Sequence, residues 1–205
     1  MSYNKFKKLE MLRAQFGIND IQTAWLPKNL PIKTATNLLL ETLKEAEEEG
    51  LATEKAKSEY IIVPVLKELR RNNPHTFSSF SGYEFNVDIK SGLNGFCDFI
   101  LSAEPQKASL TAPIICLVEA KKGEIETGWG QCGAEMYAAH LFNEKEGNPR
   151  KVIYGCVTNA FSWCFMKLEN KQLFIDPNYI PLTLTVPYEV LAVLQWILDK
   201  SLANE

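Results

Sequence analysis

An aspartate interrupts the apolar stretch Gly95-Phe96-Cys97-Asp98-Phe99-Ile100-Leu101, and a second such stretch, Ile114-Ile115-Cys116-Leu117-Val118, runs directly into Glu119-Ala120-Lys121. Side chains alternate along an extended chain, so Glu119 and Lys121 leave one face together and Lys122 leaves the other. A charge inside a buried run has to meet a partner, a metal or a substrate, because burying it alone is costly. Two carboxylates suit a hard divalent cation such as magnesium, which takes one or two carboxylates and keeps several waters. An adjacent lysine is a compact charge that can also change its protonation when buried. The competing reading is an ion pair between Asp98 and Lys121 across neighbouring strands, with Glu119 facing solvent. Such a pair seldom stabilises better than apolar packing, so it is a poor reason for both charges.

The elements that must position these groups can be read from periodicity. Helices are expected over residues 3–16, ending at Gly17, and 34–49, ending at Gly50. Thr53 caps a long helix through residue 71, which Pro64 should kink or break. From residue 77 the period changes to two, and Tyr83, Phe85, Val87 and Ile89 alternate with Glu84, Asn86 and Asp88 as in a half-exposed strand. A turn at 91–95 leads to a second strand over 96–102. The third strand, 113–120, is apolar on both faces and so central. A glycine-bearing connection over 123–130 precedes a helix over 131–143. A fourth strand spans 151–158, a hairpin turns at Asn170-Lys171, and Pro187 opens a final helix over 187–203. The expectation is one domain over residues 1–205, with 1–50 a peripheral helical extension and 53–176 the core. Three sequential strands followed by a crossover helix imply a mixed sheet with helices on both sides.

Composition sets the outer bounds. The 205 residues are 46% hydrophobic and 23% charged, ordinary values for a soluble globular protein. A net charge of −3 supplies no global basic field for nucleic acid or membranes. The lysine-rich start lacks the apolar stretch of a signal peptide, and no apolar run reaches membrane-spanning length. The five cysteines are without CxxC spacing and mostly lie in strand-like segments. They read as reduced, buried thiols of a cytoplasmic protein. No phosphate-binding glycine pattern and no GxSxG elbow is present.

This order of elements, with Asp98 on the second strand and Glu119-Ala120-Lys121 closing the third, resembles the PD-(D/E)XK nuclease superfamily. The resemblance covers residues 53–176 and implies a restriction-endonuclease-like α-β-β-β-α-β core with a mixed central sheet. It implies that Asp98, Glu119 and the backbone carbonyl of Ala120 bind magnesium or manganese, and that Lys121 is the catalytic amine. Gln131 matches the glutamine that several branches carry on the next helix in a QxxxY pattern; here Glu135 stands where the tyrosine falls. Gln131 and Glu135 share one helical face, so Glu135 either supports the site or is simply exposed. Glu59, on the helix before the sheet, matches an acidic residue that some members direct to the metal. The resemblance thus implies a metal-dependent nuclease acting on DNA, and it admits a homodimer. Lys90, Lys122, Arg150 and Lys151 are candidate phosphate contacts. The alternative is a catalytically inactive module of the same fold that binds nucleic acid or a protein partner.

Overall fold

The computed structural model describes residues 2–204. Among them are eight strands: β1 (Asn19–Gln22), β2 (Ser78–Glu84), β3 (Phe96–Ser102), β4 (Ile114–Ala120), β5 (Val152–Thr158), β6 (Ser162–Glu169), β7 (Gln172–Ile175) and β8 (Ile180–Pro181). They make one mixed, open sheet in the order β1-β7-β6-β5-β4-β3-β2, with β8 paired to β6. β2, β3 and β4 are successively antiparallel. β4 and β5 are parallel, as they must be when a helix carries the chain across the sheet between them. The β6–β7 hairpin turns on Asn170 and Lys171, both at positive φ (49° and 60°), as a two-residue turn matched to strand twist requires.

Helices cover both faces: α1 (Leu9–Phe16), α2 (Asn37–Glu45), α3 (Glu54–Lys57), α4 (Val63–Asn72), α5 (Trp129–Lys145) and α6 (Tyr188–Ala203). Leu43 of α2, Leu66 and Leu69 of α4, and Leu191 and Leu194 of α6 pack with Phe99, Val118 and Phe165 in one core. Leu12 of α1 and Cys132 and Met136 of α5 pack with Ile100, Leu117 and Val157 in the other. The Thr36 and Thr53 hydroxyls accept the N–H groups of Leu39 and Ala56, which caps α2 and α3. All five cysteines are free and buried. No helix among the described residues is long and apolar enough to cross a membrane.

Two sequence expectations need correction, and a third is met in one of its alternatives. The first fifty residues are not a peripheral helical extension. Tyr3 and Phe6 are fully buried, and β1 joins the sheet beside β7. A Cβ on Gly130 of α5 would lie 2.4 Å from the Phe6 carbonyl, so this segment is packed directly against α5. The alternating pattern of residues 83–89 stays a strand only as far as Glu84. Beyond it the Asn86 and Asp88 side chains accept the N–H groups of Gly95 and Ser91, and turn chemistry overrides the period. At Pro64, where a kink or a break is expected, the helix is distorted locally and does not break. The proline lacks an N–H to reach the carbonyl four residues back, and residues Ser58–Ile62 widen into a π turn that joins α3 to α4.

Candidate active site

The register of β3 on β4 runs through Phe99 opposite Val118, so Asp98 and Glu119 are the next opposed positions. There the ladder gives way. The Ala120 N–H donates to Asp98 Oδ2 at 2.8 Å, while the Lys121 N–H donates to the Thr158 carbonyl of β5 at 2.8 Å. The end of β4 is thus held to β5 and parted from β3, with the Asp98 carboxyl in the gap. The N–H and C=O of a strand residue point to the same side, so the Ala120 carbonyl is directed into that gap as well.

Glu119 is 1% exposed. One of its oxygens accepts from the Lys121 ammonium, as alternation along the strand requires. Lys121 Nζ also lies 3.3 Å from Gln131 Oε1, and Gln131 Nε2 donates to Glu135 Oε1 at 3.1 Å. The structure therefore brings Asp98, Glu119, Lys121 and Gln131 together. It also resolves the two readings of Glu135, which is fully buried and anchors the chain of side chains from inside α5. The ion pair of Lys121 is with Glu119 rather than Asp98, and Glu119 does not face solvent.

Electrostatics at this point are unbalanced. Burial, reinforced by the Asp98 charge and opposed by Lys121, pushes the Glu119 carboxyl up to about 8. Burial also raises Asp98, against the Ala120 N–H, Lys121 and a hydrogen bond with the Glu119 carboxyl, which favour its ionised form. Glu135 lies well above the usual carboxylate range through burial and then the Glu119 charge. For Lys121 burial favours the neutral amine, but the Glu119 charge and hydrogen bond outweigh it and hold the ammonium. Three carboxyls thus share one cation, and Oε2 of Glu119 and Oε2 of Glu135 are buried without a hydrogen-bond partner. Such a cluster takes up protons or a further cation.

Glu59 is not drawn to the centre. It lines the rim of a cavity with Asp98, and its half-exposed side chain pairs with Lys55 at 3.7 Å. Glu54 is the acid on that helix whose charge reaches both Glu119 and Lys121, and it lines the same cavity. Its position directly after the capping Thr53 gave no signal of this, since the first turn of a helix favours an acid whatever its function. Gly128 was also missed: a Cβ there would lie 2.6 Å from Val157 Cγ1 and 3.0 Å from Lys121 Cε. Its bareness leaves the path along which the lysine stem runs. Arg150 and Lys151 precede β5, at the end of the strand opposite Thr158, and so lie away from this site.

Among the described residues no group of three or more His, Cys, Asp or Glu side chains is arranged to hold a metal. The donors at the end of β3 and β4 nevertheless fit a hard cation: the Asp98 carboxyl, the Glu119 carboxyl with its orphaned buried oxygen, and a backbone carbonyl directed into the same gap. Magnesium requires few protein oxygens beyond these, because it retains waters. No model of a known protein family matches the chain, and no curated protein matches it.

Proposed function

We propose that this chain is a divalent-metal-dependent nuclease that hydrolyses phosphodiester bonds, with DNA as substrate, on a restriction-endonuclease-like core. The observation that carries the reading is the meeting of Asp98, Glu119, Lys121 and Gln131 at the parted ends of β3 and β4. The run α4-β2-β3-β4-α5-β5, with β4 and β5 parallel, agrees with the core that the sequence resembles.

Asp98, Glu119 and the Ala120 carbonyl would hold magnesium or manganese. Such a cation would lower the proton affinity of a bound water and stabilise charge on phosphate oxygens. The remaining work belongs to the chain. Lys121 holds a positive charge where negative charge develops on the phosphate and where an attacking water is oriented. Gln131, fixed by Glu135, sets the position of the Lys121 ammonium, and the Ala120 N–H fixes the plane of the Asp98 carboxyl. Proximity of this kind contributes only when the groups are held within a fraction of an ångström, which a rigid sheet end provides.

Purified protein should cleave DNA on addition of magnesium, and Asp98→Ala and Lys121→Ala should each abolish cleavage while circular dichroism remains unchanged. Cleavage persisting in both variants would sink the proposal. The alternative, an inactive module of the same fold, is favoured by the net charge of −3. Calorimetric titration separates the two, because the module would take up neither magnesium nor manganese.

A further inference from the structure

Two exposed aromatic rings stand at the same end of the sheet as Lys121. Phe96, 66% exposed, opens β3 two residues before Asp98. Phe161, 38% exposed, lies in the turn between β5 and β6. The strands β3, β4 and β5 are neighbours. β3 is antiparallel to β4 and β5 is parallel to it, so the start of β3 and the ends of β4 and β5 fall together. The rings therefore flank the strand end carrying Lys121 and Lys122, one on either side. Two strand spacings of about 4.8 Å put the strands that carry them on the order of 10 Å apart.

The turn that displays Phe161 is rigid. Ala160, buried, is held at φ 79°, a left-handed conformation that a residue with a side chain adopts only when its surroundings impose it. Asn159 Oδ1 accepts the N–H groups of Phe161 and Ser162 at 3.2 and 3.0 Å, and Thr158 Oγ1 accepts that of Ala160 at 3.0 Å. Asn159 Nδ2 donates to the Gly123 carbonyl at 3.1 Å, tying the turn to the loop after Lys121. The Lys57 ammonium lies 5.8 Å from the centroid of the Phe161 ring and donates to the Lys122 carbonyl at 2.7 Å. Lys57, Lys122, Asn159 and Ser162 line a surface cavity of about 430 Å³. Glu124 and Glu126 line it too, with Glu126 taken by the Tyr179 hydroxyl at 2.6 Å.

From this juxtaposition we infer that the site takes an unpaired nucleic-acid strand, with Phe161 and Phe96 stacking on bases to either side of the phosphate at Lys121 and with Lys57 and Lys122 holding neighbouring phosphates. The inference rests on the nuclease reading for the identity of that phosphate. An exposed ring stacks on any base whose face is open. In a duplex those faces are covered by neighbouring bases, so a ring reaches one only by prising a base step open, at a cost of a few kcal/mol per step. A single strand can spread its bases to meet them. Local lysines then supply the phosphate contacts that the acidic protein as a whole does not.

The test measures binding without chemistry, in EDTA, by fluorescence anisotropy of labelled DNA. The probes are a 20-nucleotide mixed-sequence strand, its blunt duplex, and an abasic strand of equal charge. The single strand should bind at least about fivefold tighter than either other probe, the lower end of what one base-on-ring stack contributes. Phe161→Ala and Phe96→Ala should each remove about fivefold or more without changing the salt dependence, and Phe161→Trp should restore binding. Lys57→Ala should weaken all three probes alike and lower the salt slope by about one. Equal binding of the abasic strand, tighter binding of the duplex, or indifference to both phenylalanine substitutions would overturn the inference. Cleavage with magnesium is scored separately. Ring-dependent binding without cleavage would remove the nuclease reading alone, and duplex cleavage without ring dependence would remove only this one.

Discussion

Glu68 and Glu119 are both buried, and they are treated in opposite ways. Glu68, on α4, is fully covered yet accepts from the Thr36 N–H at 2.8 Å, the Thr36 hydroxyl at 3.0 Å, and Arg71. Asp176, equally buried, accepts the N–H groups of Trp25, Leu26 and Asn178 and the Asn178 amide. These carboxyls hold the start of α2 and the segment after β1, and both oxygens of each have donors. At the parted end of β3 and β4, Glu119 and Glu135 each leave one oxygen without a partner. The difference teaches where function is to be sought. A carboxyl retained for structure collects donors until it is satisfied, whereas one retained for a ligand has to leave capacity open.

The largest expected effect separates these two classes of acid. Asp98→Asn and Lys121→Ala should each lower cleavage at least about 10²-fold, the usual effect of removing one preorganised electrostatic group, and Asp98→Asn, which removes a charge from a cluster of three carboxyls, should do so with little change in melting temperature. Glu68→Ala should do the reverse. It leaves the Thr36 N–H and hydroxyl without their acceptor, and a hydrogen bond to a charged group contributes about 1.5–3 kcal/mol, a fall of roughly 3–12 °C for a chain of this size, while cleavage by the folded fraction persists. Thermal melts and initial rates on the same preparations check both. If Asp98→Asn destabilised as much as Glu68→Ala with no loss of rate, the contrast would vanish.

A smaller effect tests whether the open site is also a positioned one. Gly128→Ala places a Cβ against the Lys121 stem and Val157 without removing any proposed reacting group. Cleavage should fall about tenfold or more through displacement of the ammonium, since misplacement by about 1 Å alone can cost 10²-fold. Gly128→Ser should be no milder. An unchanged kcat in Gly128→Ala would show that the position of the Lys121 stem is immaterial.

The open site was more legible in the sequence than the satisfied acids, for a physical reason. Asp98, Glu119 and Lys121 were visible because strand alternation is a local rule and an apolar strand makes an interrupting charge conspicuous. Glu68 stands between Lys67 and Leu69 in a mixed helical pattern, and Asp176 follows Ile175 at a turn with Pro177 and Asn178, where an acid has an ordinary local explanation; only tertiary folding shows that they are buried. The α5 helix is covered along most of its length, so no apolar stripe marked Glu135 as an inward residue. β1 reads Asn-Asp-Ile-Gln and is mostly exposed. It belongs to the sheet only through pairing with β7, about 150 positions away, which no local pattern contains. Glu54 was hidden for a different reason, because an acid in a first helical turn has a sufficient local explanation.

The smallest effect is on the pH dependence of stability, and its sign distinguishes open from satisfied carboxyls. Burial raises Glu119 to about 8 and Glu135 well above the usual range, so the folded state binds protons that the unfolded chain releases near pH 4.5. Stability then falls as pH rises, because the unfolded state holds fewer protons across that window. The contribution of these acids is complete below about pH 4.5 and, for Glu119, is lost by about pH 8. The melting temperature of the metal-free protein should accordingly drop between pH 5 and pH 8. Glu135→Gln keeps an acceptor for Gln131 and offers an amide to the space beside the orphaned oxygen, so it should flatten the slope and match or exceed the parent at pH 8. Magnesium should flatten it as well, by replacing protons at Asp98 and Glu119 with a cation. A melting temperature that rises steadily from pH 5 to pH 8 in the parent would mean that these carboxyls are satisfied after all, and the distinction from Glu68 would be lost.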